Sequence, residues 1–406
     1  MKPTKHNYSI LRQICNLIPG NLVPKLAKKH KVDKQCRSFS AWSHVVTQIY
    51  SQHAHSLSLN DVADTLHNHS GALKSIRGAT PPSRNALSHA NRNRNADMAE
   101  ELFWSVLSHM QTAHSQFGFD SKYCALPRRF KRTVYAIDSS TIQLVANCVT
   151  WAKHRRRKAA AKCHMQLNLQ SFLPQFAIVK AANTHDSTEA QTLCANLKDG
   201  EIALFDKAYI DFKHLSHLDS RGVFWVTRSK DNMNYKVMGQ QTEPKGNIIK
   251  DELVLLTGIK SNTAYSEPIR LVTADVEVNK KMKTMTFMTN NKTWAPTSIC
   301  DLYQCRWGVE VFFKQIKQTL QLADFLGHNE NAVRWQIWMA LLTYVLIRYV
   351  GFLGKWTGSF ARLFTLLRGV TFDRFEIFSV LKICSDSRAG PRTIATPEQI
   401  YLPGFI

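Results

Sequence analysis

Apolar residues recur at helical spacing through the first hundred positions. Leu11 to Ile18, Leu22 to Lys28, Trp42 to Tyr50 and Leu102 to Met110 are short amphipathic runs divided by Pro, Gly and Ser. From Asn7 to about His114 the pattern predicts helices. Ser58-Leu59-Asn60-Asp61 has the form of a helix start, and Pro82 through Arg92 predicts a second, polar helix. After the basic run Pro127 to Arg132 the period changes. Val134 to Asp138 is an apolar run ending in an acid, and Thr141 to Val145 alternates. Met165 to Leu169, Gln175 to Lys180, Ile202 to Phe205 and Val223 to Thr227 are further strand candidates. Lys236 to Met288 holds several β-like runs separated by turn residues, and beyond Asp301 the helix period returns as far as Tyr349. The pattern divides the chain into an all-helical part (1–126), a mixed α/β part (127–235) resumed at 293–350, a β-rich insertion (236–292) and a helical tail (351–406).

The most apolar stretch, Ile337 to Ile347, has about half the ~20 residues a bilayer span needs, and Arg334 and Arg348 bracket it. A buried helix is expected there and no membrane partner. The first residues lack the apolar stretch of a secretory signal, which predicts a cytoplasmic protein. The nine cysteines form no Cys-x-x-Cys pair, so reduced thiols are expected rather than a zinc site or disulfides.

Charge narrows the partner. The 406 residues include 53 Lys and Arg against 30 Asp and Glu, a formal charge of +23 on an otherwise globular composition, which calls for a polyanion. Ser83, Arg84, Asn85 and His89 on the second polar helix are candidates for DNA contact, as in a helix-turn-helix. The connection from His67 to Pro82 is longer than that motif uses, so a solvated polar helix is the competing reading. Arg155, Arg156, Arg157 and Lys158, with Lys153 and Lys162, make the densest basic cluster, either a DNA contact or a solvated loop. Arg228 and Lys230 follow a predicted strand, as phosphate ligands or as a surface pair. No Gly-rich phosphate loop is present, and no use of ATP is expected.

Asp138 and Asp206 each end an apolar strand. If those strands are parallel neighbours, both carboxylates emerge at one sheet edge, where α/β folds place their sites; either alone is more often a cap or turn residue. Tyr303, Arg306, Glu310, Lys314 and Lys317 share one face of a predicted helix, within roughly 80°. The alternative is an exposed face carrying i, i+4 ion pairs. Three carboxylates from two strands and a helix offer hard oxygen ligands to a pair of Mg²⁺ ions, the arrangement of two-metal phosphoryl transfer.

The run Tyr303, Arg306, Glu310, Lys317 resembles the Tyr-Arg-Glu-Lys signature of bacterial insertion-sequence transposases of the DDE type, which have a ribonuclease H-like catalytic domain. Asp206-Lys207-Ala208-Tyr209 is similar to their second-acid motif, usually Asp-Arg-Gly-Tyr, and Ile137-Asp138-Ser139-Ser140 to their first. Thr184-His185-Asp186 and Phe224 to Arg228 are also similar to that group. The resemblance implies an α/β ribonuclease H-like domain with a β-rich insertion, preceded by a helical DNA-binding domain. It implies Asp138, Asp206 and Glu310 as catalytic, Mg²⁺-binding residues, with Mn²⁺ able to substitute. Tyr303, Arg306 and Lys317 would contact the phosphates of the transposon end. The partners implied are transposon-end and target DNA and a second copy of the chain in a synaptic homodimer. Relatives that form hairpins stack a flipped base on a tryptophan, which puts Trp225 or Trp294 forward, with burial in the core as the competing reading. A nuclease or resolvase on the same fold, or a catalytically silent DNA-binding repressor, is the alternative function.

Overall fold

The computed structural model describes residues 2–34, 36, 38–56, 58–118, 127–144, 153–155, 158–181, 186–278, 281–319, 327 and 329–386. Among the described residues seven α-helices precede the sheet: α1 (Ile10–Cys15), α2 (Leu22–Lys29), α3 (Ala41–Ala54), α4 (Leu59–Asn68), α5 (Ser70–Lys74), α6 (Arg84–Asn93) and α7 (Asp97–Ala113). Serine hydroxyls begin four of them: Ser9, Ser40, Ser58 and Ser83 each accept a first-turn N–H, and Ser58 with Asp61 forms a reciprocal capping box. The long link between the two polar helices is itself partly helical, since α5 lies between α4 and α6.

The sheet strands are β1 (Val134–Leu144), β2 (Lys153–Arg155), β3 (Lys158–Asn168), β4 (Leu173–Ala181), β5 (Ile202–Phe205), β6 (Phe224–Arg228), β7 (Tyr235–Gln240), β8 (Ile248–Leu256), β9 (Ile269–Val278) and β10 (Lys281–Thr289). Helix α8 (Asp186–Leu193) precedes β5, α9 (Phe212–Ser220) joins β5 to β6, and the short α10 (Ile259–Ala264) follows β8. β1 pairs antiparallel with β3 and parallel with β5, and β5 is parallel to β6. The insertion does not form a layer of its own. β10 pairs antiparallel with β6, so β10-β9-β8-β7 continues the same sheet. The sequence shows alternating runs there but carries no mark of which earlier strand they join.

Helix α13 (Glu330–Leu353) explains the other half of the molecule. It is long and apolar enough to cross a membrane by length and composition, yet 83% of its most apolar window is buried within the protein. A helix apolar on every side must be covered on every side. α3, α6 and α7 cover it together with β4, α12 (Trp307–Thr319) and α14 (Phe360–Gly369). Arg334 and Arg348, which flank the apolar stretch, both lie inside the helix, and the Arg348 guanidinium donates to the Tyr344 hydroxyl at 2.9 Å. A single apolar cluster accordingly runs from Ile10 and Val45 through Trp338 and Leu342 to Ile142 and Phe312. The segment after α13 folds back on the start of the chain: Glu376 N–H donates to Thr4 O, and Gln13 bonds both Phe375 O and Ile377 N–H. Elements on either side of residue 126 thus share one core.

Polar groups sew these helices together. The Asn91 carboxamide oxygen takes hydrogen bonds from His44 Nε2 (2.8 Å) and Gln48 Nε2 (2.7 Å), while Asn331 Nδ2 donates to Asn91 O and Arg94 O. His44 is fully buried, and burial holds its imidazole down at about 3, assisted by the nearby Arg94 charge and opposed by the bond to Asn91. A histidine depressed in the fold contributes its stability above its unfolded value near 6.5 and loses it as the pH falls below that. At pH 5 this single group is expected to remove about 2 kcal/mol relative to pH 7.5. Urea unfolding at the two pH values checks this, and His44→Gln, which cannot take up the proton, should reduce the difference by that amount.

Candidate active site

The register of β1 and β5 builds the site. Ile137 pairs with Phe205 in the parallel ladder, so the next residues, Asp138 within β1 and Asp206 directly after β5, stand side by side where β5 ends; β1 does not stop at its acid, as its apolar run suggested, but continues to Leu144. Period-2 alternation sends Ile137 and Phe205 into the core on one face, against Leu197 and Leu218. Asp138 and Asp206 share the other face with Ala136 and Leu204, beneath α11 (Pro296–Cys305) and α12. Asp206 also caps a short 3₁₀ turn, accepting from Lys207 N–H at 2.8 Å.

The signature residues do not lie on one unbroken helix. α11 ends at Cys305 and α12 begins at Trp307, with Arg306 at the junction. The junction turns Arg306 inward, where it is 6% exposed. Its Nη1 donates to Asp138 Oδ2 at 2.9 Å and its Nη2 to Glu310 Oε1 at 2.7 Å, so one guanidinium joins the strand acid to the helix acid. Tyr303 is buried, its ring 5.0 Å from Phe287 and 5.5 Å from the Arg306 guanidinium carbon. Lys317 Nζ donates to Thr141 O on β1 at 2.7 Å, while Glu310 and Lys314 are exposed. The polar stripe is therefore turned toward β1 and is not a wholly solvated face. Gly308 permits the approach of α12: a Cβ there would meet Leu169 Cδ2 at 3.0 Å.

The charges interact. Burial pushes the Asp138 carboxyl up to about 6, against the pull of Arg306 and the Ser139 N–H and with added repulsion from Asp206 and Glu310. Burial also raises the Tyr303 hydroxyl, with Arg306 and Arg228 lowering it and Asp206 raising it. Burial of Arg306 is outweighed by Tyr303, Asp138 and Glu310, which hold its guanidinium firmly charged. Asp138, Asp206, Glu310, Tyr303, Arg306 and Arg228 thus form one electrostatic neighbourhood. Among the described residues no three His, Cys, Asp or Glu side chains stand within joint reach of one ion; the cation facing Asp138 and Glu310 is Arg306.

The other candidates are dispersed. Lys230 is exposed, with Nζ donating to Ile210 O at 3.3 Å. Arg155 and Lys158 fall on the paired strands β2 and β3, so the basic cluster belongs in part to a ladder and not to a loop; Arg156, Arg157, Thr184 and His185 lie outside the described residues. Lys162 pairs with Thr141, on the sheet face opposite Asp138. Ser83, Arg84, Asn85 and His89 form the outer side of α6, whose inner side Leu87, Ala90 and Asn91 hold against the core. Trp225 is fully buried edge-on to Tyr265, and Trp294 packs on Phe224, so both belong to packing. Trp307 and Val311, 42% and 45% exposed, lie one turn apart next to Glu310. Their i, i+4 spacing was the available signal for an apolar surface beside the acids.

Two neighbouring carboxylates, one of them tied through an arginine to a helix glutamate, in a chain of formal charge +23, suit a protein that works on a polyanion. The chain belongs to the Transposase DDE domain family, whose model matches residues 129–346. A domain of unknown function (DUF4372) matches residues 6–76. The chain is 29% identical over 268 residues to a Sinorhizobium fredii protein named as a transposase, spanning 65% of this chain and 74% of the relative. It is 26% identical over 232 residues to a Geobacillus stearothermophilus protein named as the transposase for insertion sequence element IS5377, spanning 55% and 58%. It is 26% identical over 193 residues to the Escherichia coli transposase InsG for insertion sequence element IS4, spanning 45% and 42%. A solved piggyBac transposase synaptic complex with hairpin DNA aligns with a TM-score of 0.42 and 10% identity, over 93% of this chain and 80% of that one.

Proposed function

We propose that this transposase binds the inverted terminal repeats of its own insertion sequence, cleaves the DNA there and transfers the freed strands to target DNA by two-metal phosphoryl transfer. The observation that carries the reading is the register that sets Asp138 beside Asp206, with Arg306 joining Asp138 to Glu310. The order β4-β3-β1-β5-β6, antiparallel up to β1 and parallel after it, supports a ribonuclease H-like core.

The donor set fits a hard divalent cation, since all three acids offer oxygen and two are half-buried. Asp138, Asp206 and Glu310 would hold Mg²⁺, with Mn²⁺ as a substitute. When bound, such ions supply an activated water or hydroxyl and charge neutralisation at the phosphoryl group. The rest falls to the chain's own residues. Arg306, charged and fixed by two carboxylates, orients a phosphate oxygen beside them; Arg228 adds a second cation from the end of β6, and Lys317 steadies the helix against β1. Tyr303 positions Arg306 through its ring face. The outer side of α6, with Ser83, Arg84, Asn85 and His89, is assigned to duplex contact, as are Arg155 to Lys158 and Lys230. Two copies of the chain would pair the two ends, and no ATP is required.

The test is Mg²⁺-dependent cleavage and joining of DNA that carries the gene's own flanking sequence. Nicks at the repeat boundary together with joined products, both lost in Asp138→Ala, are expected. Nicks without joining would reassign the chain to a nuclease or resolvase, and specific binding without nicks to a silent repressor.

A further inference from the structure

The β9–β10 ribbon overhangs the acid edge. β10 runs antiparallel to β6, and Phe287 pairs with Arg228, the last residue of β6. The earlier residues of β10, Lys281 to Thr286, therefore extend past the end of β6, on the side where β5 ends before Asp206 and β1 runs on through Asp138. β8 is also left behind, since it pairs with β9 only from Ala274 to Ile269. Beyond these limits the ribbon is two-stranded, and Lys281, Met282, Lys283 and Thr284 are exposed.

Alternation sorts its charges. Phe287 lies under α11 against the Tyr303 ring, and Met285 packs toward the same cluster. Lys283 and Lys281 continue that row, so both lysines project from the face that carries Asp138, Asp206 and Arg228. The acids of the ribbon fall on the other face: Glu277 pairs with Met282, and Asp275 pairs with Thr284 and accepts its hydroxyl at 2.6 Å. One face of the overhang is cationic and level with the active site, and the acidic face points away. Lys283 stands four residues and Lys281 six residues beyond Phe287, which places the lysines roughly 13 to 20 Å from the end of β6 at ~3.4 Å per residue.

We infer that Lys281 and Lys283 clamp backbone phosphates of the same DNA whose scissile bond lies at the acids, about 4 to 6 base pairs along the duplex at ~3.4 Å per pair. The inference rests on the transposase reading above and deepens it, giving the insertion a share in holding the transposon end. Sequence-independent contact of this kind positions the duplex without reading bases.

The test compares the full-length protein with Lys281→Ala/Lys283→Ala, measuring binding to transposon-end DNA across a salt series and a backbone footprint. Each lost phosphate contact lowers the slope of log affinity against log salt by about 0.9, so the double variant should show a slope smaller by about 2. Protection should also disappear 4 to 6 base pairs to one side of the nick, with the nick itself unmoved. Lys245→Ala/Lys260→Ala, which removes equal charge from exposed positions elsewhere in the insertion, should leave slope and footprint as in the wild type. An unchanged slope and footprint in the ribbon variant, or an equal change in the control pair, overturns the clamp while cleavage by the wild type leaves the transposase reading standing. A wild type that neither binds nor cleaves such DNA overturns both.

Discussion

Asp138→Asn is expected to lower Mg²⁺-dependent strand cleavage by about 10³-fold or more while the protein stays folded. A bound divalent cation contributes several kcal/mol to phosphoryl transfer, and each 1.36 kcal/mol is a factor of ten in rate, so about 4 kcal/mol gives that figure. The amide keeps the shape of the carboxylate and retains an oxygen for one of its two donors, Arg306 Nη1 or the Ser139 N–H. It also relieves the fold of a desolvated charge. Burial carries this carboxyl from 3.8 to about 6, which corresponds to roughly 3 kcal/mol against the ionised form at neutral pH. Calorimetry in metal-free buffer should therefore give the variant a melting temperature no lower than that of the wild type. Undiminished cleavage by the folded variant would remove Asp138 from the chemistry.

The largest effect on stability is expected at a pair far from any reacting group. Arg270 on β9 and Asp251 on β8 are 1% and 0% exposed, and the guanidinium meets the carboxylate through two bonds of 2.7 Å, from Nε and from Nη2. A third bond, from Nη1 to Trp294 O, ties this pair to the segment that leads into α11. Asp251→Ala strands a buried cation and is expected to destabilise the protein by about 3 to 5 kcal/mol, read as a shift in urea midpoint. Asp251→Leu combined with Arg270→Met, apolar and of similar bulk, should recover most of the loss. A change below about 1 kcal/mol in the single variant would mean that water reaches the pair.

The acids were legible in the sequence because each closes an apolar run, at Ile137-Asp138 and Phe205-Asp206; only Asp206 also ends its strand, since β1 carries on past Asp138 to Leu144 in ladder pairing with β3 that the apolar run did not reveal. The strands themselves were readable for the same reason: Ile202–Phe205 is fully buried, and no helix fits so short a run. The role of Arg306 was visible only in part. Its spacing from Glu310 predicts a surface pair, whereas the break between Cys305 and Trp307 turns it into a buried bridge to Asp138, 168 residues away. Long-range pairing left no local trace either. Nothing in Asp251 or Arg270 announces the other, and nothing in β10 announces β6. His44 and Asn91 look like ordinary polar helix residues until α13 closes over them.

The way α13 is covered sets an order on synthesis. Helices α3, α6 and α7 emerge from the ribosome more than two hundred residues ahead of the helix they surround, and Thr4 waits for Glu376. Contacts so distant in sequence form late, and the nascent chain meanwhile exposes the apolar sides of its first helices. A product halted before α13 has no partner for those surfaces and is a substrate for chaperones and proteases. A chain cut before α13 would leave bare the faces of α3, α6 and α7 that this helix covers.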